Sequence, residues 1–399
     1  MGKVMKARLL LVLALCFTPG LTFFSQTSAW EKNNDVGVAS LRKGDYAQAE
    51  QMLSRAISEA GGFQAENIRV ATSLNNLALL YRETGRYADS ERLYLRAIEI
   101  SEKARGVDGK NMANPIDGLA LLYTDQSKYA EAEKLLLRAL SIREKAFGGN
   151  HPDVALSLNN LAQLYVAVGR YSQAEQLFER AITIQERADG VNTPNMASFL
   201  DNLGLLYGKQ NKFTEAGRLH YRALEIRERI YGLEHPDVAL SLNNMARVSD
   251  ETGDYAAAVQ LQTRALRIWE KSFGPNHPKV AIALNNIAMD YSRQGKATLA
   301  EPYARRALAL WEKSLGQEHP NVATGLGNLA DVLQELRKYR EAEPLYRRAL
   351  AIQEKVLGRS HPGMVPVLEG YARLLRRTRR AADASILEAR ARAIGVGGE

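Results

Sequence analysis

A chain of 399 residues could hold two or three ordinary domains, and 46% hydrophobic with 25% charged residues is the balance of a soluble protein with a large core. Aromatics are sparse at 7% while Ala, Leu and Arg abound, which favours helix, and no run of alternating β-branched residues argues for a sheet. The formal charge of +8 suggests a nucleic-acid partner, but Lys3, Lys6 and Arg8 supply three of those charges and Tyr371 to Glu399 four more, so the body between is nearly neutral and no nucleic acid is expected.

Lys3, Lys6 and Arg8 precede the apolar run Leu9 to Phe17, then "TPG" breaks any helix, and small Thr27 and Ala29 stand where a peptidase would cut before Trp30. This is the layout of a secretory signal peptide over residues 1–29, with an exported, periplasmic or extracellular, product. The rival is a retained anchor, but Pro19 and Gly20 interrupt a run already short of the ~20 apolar residues a span needs. The single cysteine, Cys16, lies in this segment; Leu15 stands where a lipoprotein box needs a small residue, which argues against lipidation. The mature chain would then have no disulfide and no thiol nucleophile.

From residue 30 to 394 the chain repeats itself, leaving a short tail at 395–399. The first copy, "DVGVASLRKGDYAQAEQMLSRAISEA", is divergent, with Gly37, Tyr46, Ala49 and Ala56 at a spacing of 41. Eight copies follow in steps of 42, with helix pairs expected to start near Ala71, Ala113, Ala155, Ala197, Ala239, Ala281, Ala323 and Val365. In each, a Leu (Ile116 in one copy), a second apolar residue three later, a small residue beside it and often a Tyr three beyond that share one helical face; Leu158, Leu161, Ala162 and Tyr165 are one set. A turn carrying Gly85, Gly169, Gly253 or Gly295 follows, then a second helix with two Ala columns. That helix ends at Gly106, Gly148, Gly190, Gly232, Gly274, Gly316 and Gly358, as expected of a C-terminus needing a left-handed residue. The last copy is worn, with Arg379 in place of the turn Gly, as expected of an end cap.

His-Pro recurs at His151, His235, His277, His319 and His361. Pro just after the end-Gly suits the first turn of a new helix, and Asp153 and Asp237 suit its positive end. A metal reading fails because each His recurs one repeat along the stack, in a line at the edge rather than converging on an ion. Neither a metal nor another cofactor is expected.

The pattern of small residue, aromatic, turn Gly and two Ala columns resembles the tetratricopeptide repeat. The 42-residue form with "LNNLAxLY", "RALxIxEK" and "HPxVA" is similar to the repeats of kinesin light chains, over nearly everything from Asn33 to Ile394. The resemblance implies an all-α, right-handed superhelical solenoid of antiparallel helix pairs, about nine in number. Kinesin light chains begin with a heptad coiled coil, whereas this chain begins with an export-type segment, so the repeat type carries over and the motor partnership does not.

No nucleophile with its base, no carboxylate pair and no phosphate loop stands out, so an enzyme is not expected; the recurring Glu and Arg columns read as ion pairs along solvated helices. Two rows of Asn recur in mid-helix, where Asn is a middling helix former. The first is Asn76, Asn160, Asn202, Asn244, Asn286 and Asn328; the second, beside it, is Asn75, Asn159, Asn243 and Asn285. Each amide can bridge neighbouring helices. The resemblance implies the other role: first helices line a concave groove that takes extended peptides, where an amide holds a ligand's backbone. The second row is expected to point further into the groove. Arg247, Arg293 and Arg373 add positive charge one turn on, and Arg376, Arg377, Arg379 and Arg380 form a basic end open to anionic, including membrane, surfaces. The functional expectation is therefore a peptide-binding adaptor or assembly scaffold for a protein partner. The alternative is a structural scaffold that self-associates through its convex face and basic end.

Overall fold

The computed structural model describes residues 28–62, 64–105 and 112–396, which places residues 1–27 of the signal segment, Gly106 and the last three residues outside the described part. Eighteen helices pack as consecutive antiparallel pairs, with no strand among the described residues. They are α1 Ala29–Arg42, α2 Tyr46–Glu59, α3 Ile68–Glu83, α4 Tyr87–Arg105, α5 Ala113–Asp125, α6 Tyr129–Phe147, α7 Pro152–Ala167, α8 Tyr171–Asp189, α9 Pro194–Lys209, α10 Phe213–Tyr231, α11 Pro236–Glu251 and α12 Tyr255–Phe273. The series continues with α13 Pro278–Arg293, α14 Ala297–Leu315, α15 Pro320–Glu335, α16 Tyr339–Leu357, α17 Val365–Arg377 and α18 Ala381–Val396. The Leu and Ala columns are the core: Leu158, Ala162, Ala174 and Ala181 are all fully buried, and their counterparts repeat along the stack. No helix among the described residues is long and apolar enough to cross a membrane.

Within pairs, Gly85, Gly169, Gly253 and Gly295 take positive φ as expected, and Ser127, Asn211, Arg337 and Arg379 hold the same turn at φ of 58 to 64°. The glycines that end the second helices differ from expectation in ψ. Gly232 has φ 82° and ψ 169°, the mirror image of an extended strand rather than the left-handed helical region. That region is essentially closed to side chains. A Cβ added to Gly232 would meet nothing within 4 Å, so any penalty there is pure backbone strain. Gly232→Val is expected to lose about 1–3 kcal/mol, with damage confined to neighbouring repeats, and to lower the melting temperature. Coincident melts of variant and parent would contradict this assignment.

The His-Pro pairs start helices as expected, about three residues earlier than the columns suggested, with Pro at the first position. The imidazole itself is the cap. Nδ1 of His151, His235, His277, His319 and His361 accepts from the backbone N–H two residues on, at 3.0–3.2 Å.

Three of these histidines have a second task that only the superhelix creates. Nε2 of His319 donates to the Glu83 carbonyl oxygen 236 residues earlier, at 3.1 Å. His277 meets the Arg42 carbonyl and His361 the Asp125 carbonyl in the same way. The stack therefore completes a full turn in between five and six repeats, and the inter-helix turns of the first three pairs rest on the N-termini of α13, α15 and the α17 segment. His151 and His235 have no coil beneath them and stay half-buried, whereas His277 and His319 are buried, at 7% and 9% exposed.

Between pairs the core varies by matched sets. Asp117, Arg143 and Ser157 form a buried cluster, with Arg143 to Asp117 at 2.7 Å. The same columns two copies on hold Asp201, Arg227 and Ser241, again bonded and buried. In the next two copies the columns carry Asn243, Trp269 and Ala283, then Asn285, Trp311 and Gly325. A Cβ on Gly325 would come 3.0 Å from the Trp311 ring, so the large ring and the small residue compensate in volume.

Candidate functional site

Successive first helices touch one another, α1 with α3 through to α15 with α17, and successive second helices make no comparable contact. The odd-numbered helices therefore line the inside of the curve. The approach is loosest between α11 and α13, which are bridged by the side-chain pairs Asn286–Asn243 and Arg293–Asp250, and a cavity of about 370 Å³ opens there, walled by Asn243, Arg247, Asp250, Gln262, Asn286, Asp290 and Asn328.

The two Asn rows form a ladder across this inner face. Asn202 Nδ2 donates to Asn159 Oδ1 at 2.9 Å, Asn286 to Asn243 at 3.0 Å, and Asn328 to Asn285 at 2.9 Å. Asn76 donates to Asn34 at 3.1 Å, and Asn160 to the Asp117 carboxylate. The expectation for the second row is thereby reversed. Asn159 and Asn285 are 6% and 8% exposed, turned towards the next helix as acceptors, and Asn75 and Asn243 are only half-buried. The half-exposed row facing the groove is the first, Asn76, Asn160, Asn202, Asn244, Asn286 and Asn328. One residue of shift turns a side chain by a quarter of a helical circuit, enough to exchange interface for groove. Asn244 has no hydrogen-bond partner among the described residues, because the acceptor in its row, Asp201, is engaged by Nδ1 of His220 at 2.7 Å and by Arg227. Burial pushes the Asp201 carboxyl up, but these two partners outweigh it and hold it below the ordinary value.

The inner arginines are mostly spent. Arg82 pairs with Asp125 at 2.6 Å, Arg293 with Asp250, and Arg373 with Asp331 at 3.0 Å, each across neighbouring first helices. Arg247 is exposed and has no ion pair among the described residues. The basic end is half neutralised: Arg376 pairs with Glu388 at 2.7 Å and Arg380 with Glu343 at 2.7 Å, leaving exposed Arg377 and Arg379 as its free charges.

Asp290 escaped the sequence reading. Its column is otherwise Leu80, Leu122, Leu164, Leu206, Val248, Val332 and Leu374, so a single break in an apolar column was the available signal. It is 3% exposed, and burial first, then the Asp250 carboxylate hydrogen-bonded to it, raises its carboxyl to about 7, against a smaller opposing pull from Arg293. No group of three or more His, Cys, Asp or Glu side chains among the described residues is placed to hold a metal.

The tetratricopeptide repeat model matches residues 31–103, 69–140, 111–187, 195–271, 251–313, 279–355 and 321–395, which spans nearly the whole repeated region. No curated protein matches the chain. Among solved structures, the nearly identical TPR-like repeats of a kinesin light chain from Podosopora anserina share 26% identity over 51% of this chain and 97% of that one, with a TM-score of 0.43. BtubC (BKLC) from P. vanneervenii shares 25% identity over 60% of this chain and 92% of its own, with a TM-score of 0.43. The apo form of RapI, at 16% identity, aligns over 93% of this chain and 99% of its own with a TM-score of 0.53, a likeness of fold.

Proposed function

The chain belongs to the tetratricopeptide repeat family of protein-interaction scaffolds, and from that premise we propose that it binds extended peptide segments of partner proteins along its inner groove, as an adaptor or assembly scaffold outside the cytoplasm. The observation carrying this reading is the first Asn row. Its half-exposed members Asn202, Asn286 and Asn328 spend their amide nitrogens on the second row, leaving carbonyl oxygens that accept from no described residue, and Asn244 has no hydrogen-bond partner among the described residues. Such a line of amides suits a peptide backbone without selecting its side chains.

Peptides selected from an unbiased extended-peptide library should cross-link to a photoreactive residue at Leu205 or Met289 on the inner wall. Cross-linking confined to Leu137 or Tyr221 would overturn the groove reading. Those residues carry the second reading, a self-associating scaffold: Leu95, Leu137 and Tyr221 share one column of the outer helices and are 49%, 47% and 53% exposed. Export is supported by the signal-like segment, and mass spectrometry of the purified protein should find an N-terminus at or within a few residues of Trp30. An intact Met1 would favour the anchored form.

A further inference from the structure

The joint between α11 and α13 is wider than the others and holds a cavity. Its wall is rich in acceptors. Asp250 and Asp290 stand together, and Gln262, only 2% exposed, presents an Oε1 with no donor. Asn286 and Asn328 line the same space, and with their nitrogens committed to the second row their carbonyl oxygens accept from no described residue. Against these acceptors stands Arg293, already bound to Asp250. We propose that this cavity receives a basic side chain, the ammonium of a lysine or the guanidinium of an arginine, carried by the peptide segment that the groove takes. This rests on the groove reading and adds to it the kind of residue the segment must contain.

The chemistry balances as an exchange of cations. Two carboxyls in contact cannot both ionise cheaply, so the pair keeps one proton, with Asp290 as its holder and Asp250 as acceptor. An entering ammonium brings the charge that lets both ionise, and the Asp290 proton leaves to solvent. The charges acting on Asp290 are those of Asp250 and Arg293; Arg247 and Glu251 complete the α11 wall, while α12 and α15 contribute the neutral Gln262 and Asn328. Arg247, unpaired on the α11 wall, is placed to take a backbone carbonyl of the same segment rather than the cation.

The test is calorimetric titration of the full chain with hexalysine at pH 6 and pH 8, beside a hexapeptide of Nε-acetyl-lysine. Lysine stays charged at both values, so the proton on Asp290, titrating at about 7, sets the difference: affinity should be about ten-fold tighter at pH 8, with close to one proton released per peptide at pH 6. The acetylated peptide should bind at least ten-fold more weakly at pH 8. Asp290→Asn should bind hexalysine weakly and without the pH dependence. Asp290→Leu, which restores the residue type of its column, should melt at or above the parent temperature and lose the binding. Equal hexalysine binding by the parent and Asp290→Leu, or equal binding of the acetylated peptide, would overturn the proposal. If hexalysine fails to bind while library peptides still cross-link at Met289, the basic-residue site is wrong and the groove stands. If neither binds, both readings fall.

Discussion

Asp201→Ala should destabilise the protein more than any other single change considered, by about 3–5 kcal/mol, because it removes one partner of a buried ion pair and strands the other. Arg227 is 4% exposed and His220 fully buried; without the carboxylate, among the described residues Arg227 keeps only the Ser241 hydroxyl and His220 loses its sole partner. A lost buried pair is not a lost source of net stability, however. The neighbouring copy fills the same columns with Asn243, Gln262, Trp269 and Ala283. Asp201→Asn combined with His220→Gln, Arg227→Trp and Ser241→Ala should therefore regain most of the loss. Thermal melts of the two variants check the prediction, with hydrogen exchange locating the damage in α9 to α11, since a solenoid need not melt as one unit. A mild effect of Asp201→Ala would mean that the cluster is hydrated rather than buried.

Acid should open the superhelix before it melts the helices. Burial holds His277 and His319 down at about 4, with Lys279 adding to the effect at His277. The released side chain titrates near 6.5. Between those values the open state binds protons that the closed state cannot. The stability of closure is therefore fully present above about 6.5, falls as pH drops, and levels off below about 4. The shift corresponds to roughly 3 kcal/mol for each histidine. The seam is held by these side chains, whereas each helix pair has an extensive apolar interface, so the cheapest way to admit the protons is to separate the coils. Small-angle scattering should show a larger radius of gyration at pH 4.5 than at pH 7.5, with the helical circular dichroism signal kept. His277→Asn with His319→Asn should open the seam at neutral pH, because Asn still caps a helix but does not reach the carbonyl opposite. His151→Asn with His235→Asn should change nothing, having no coil to meet.

Much of this molecule was readable from its columns, and the remainder shows what a column cannot carry. Leu158, Ala162 and the turn glycines identify helices and their junctions because a 3.6-residue period and a positive φ are local demands. The seam at His319 was not readable. It depends on a small rotation between pairs summed over more than five repeats, and His151 carries the same residue with no coil opposite. The Asn rows were readable as rows, but their facing was not, since Asn243 and Asn244 differ by one residue and the register of contact with α13 decides which is interface. Gly232 was assigned positive φ correctly from its place after a helix, while its ψ depends on where the next helix must start. Asp290 was in plain view as the one polar residue in an apolar column.

If the inner face binds peptide through amides the fold does not need, Asn244 is the residue whose loss should separate binding from folding. Asn244 makes no hydrogen bond to any described residue, whereas its neighbour Asn243 accepts from Asn286 at 3.0 Å and Gln262 at 3.2 Å. The measurement is the affinity of an inner-wall peptide for Asn244→Leu and Asn243→Leu, taken beside the melting temperature of each. Asn244→Leu should melt with the parent and bind about 1–3 kcal/mol more weakly, the cost of leaving a ligand group unpaired, while Asn243→Leu should melt earlier. Undiminished binding by a fully folded Asn244→Leu would show that the inner amides do not hold peptide.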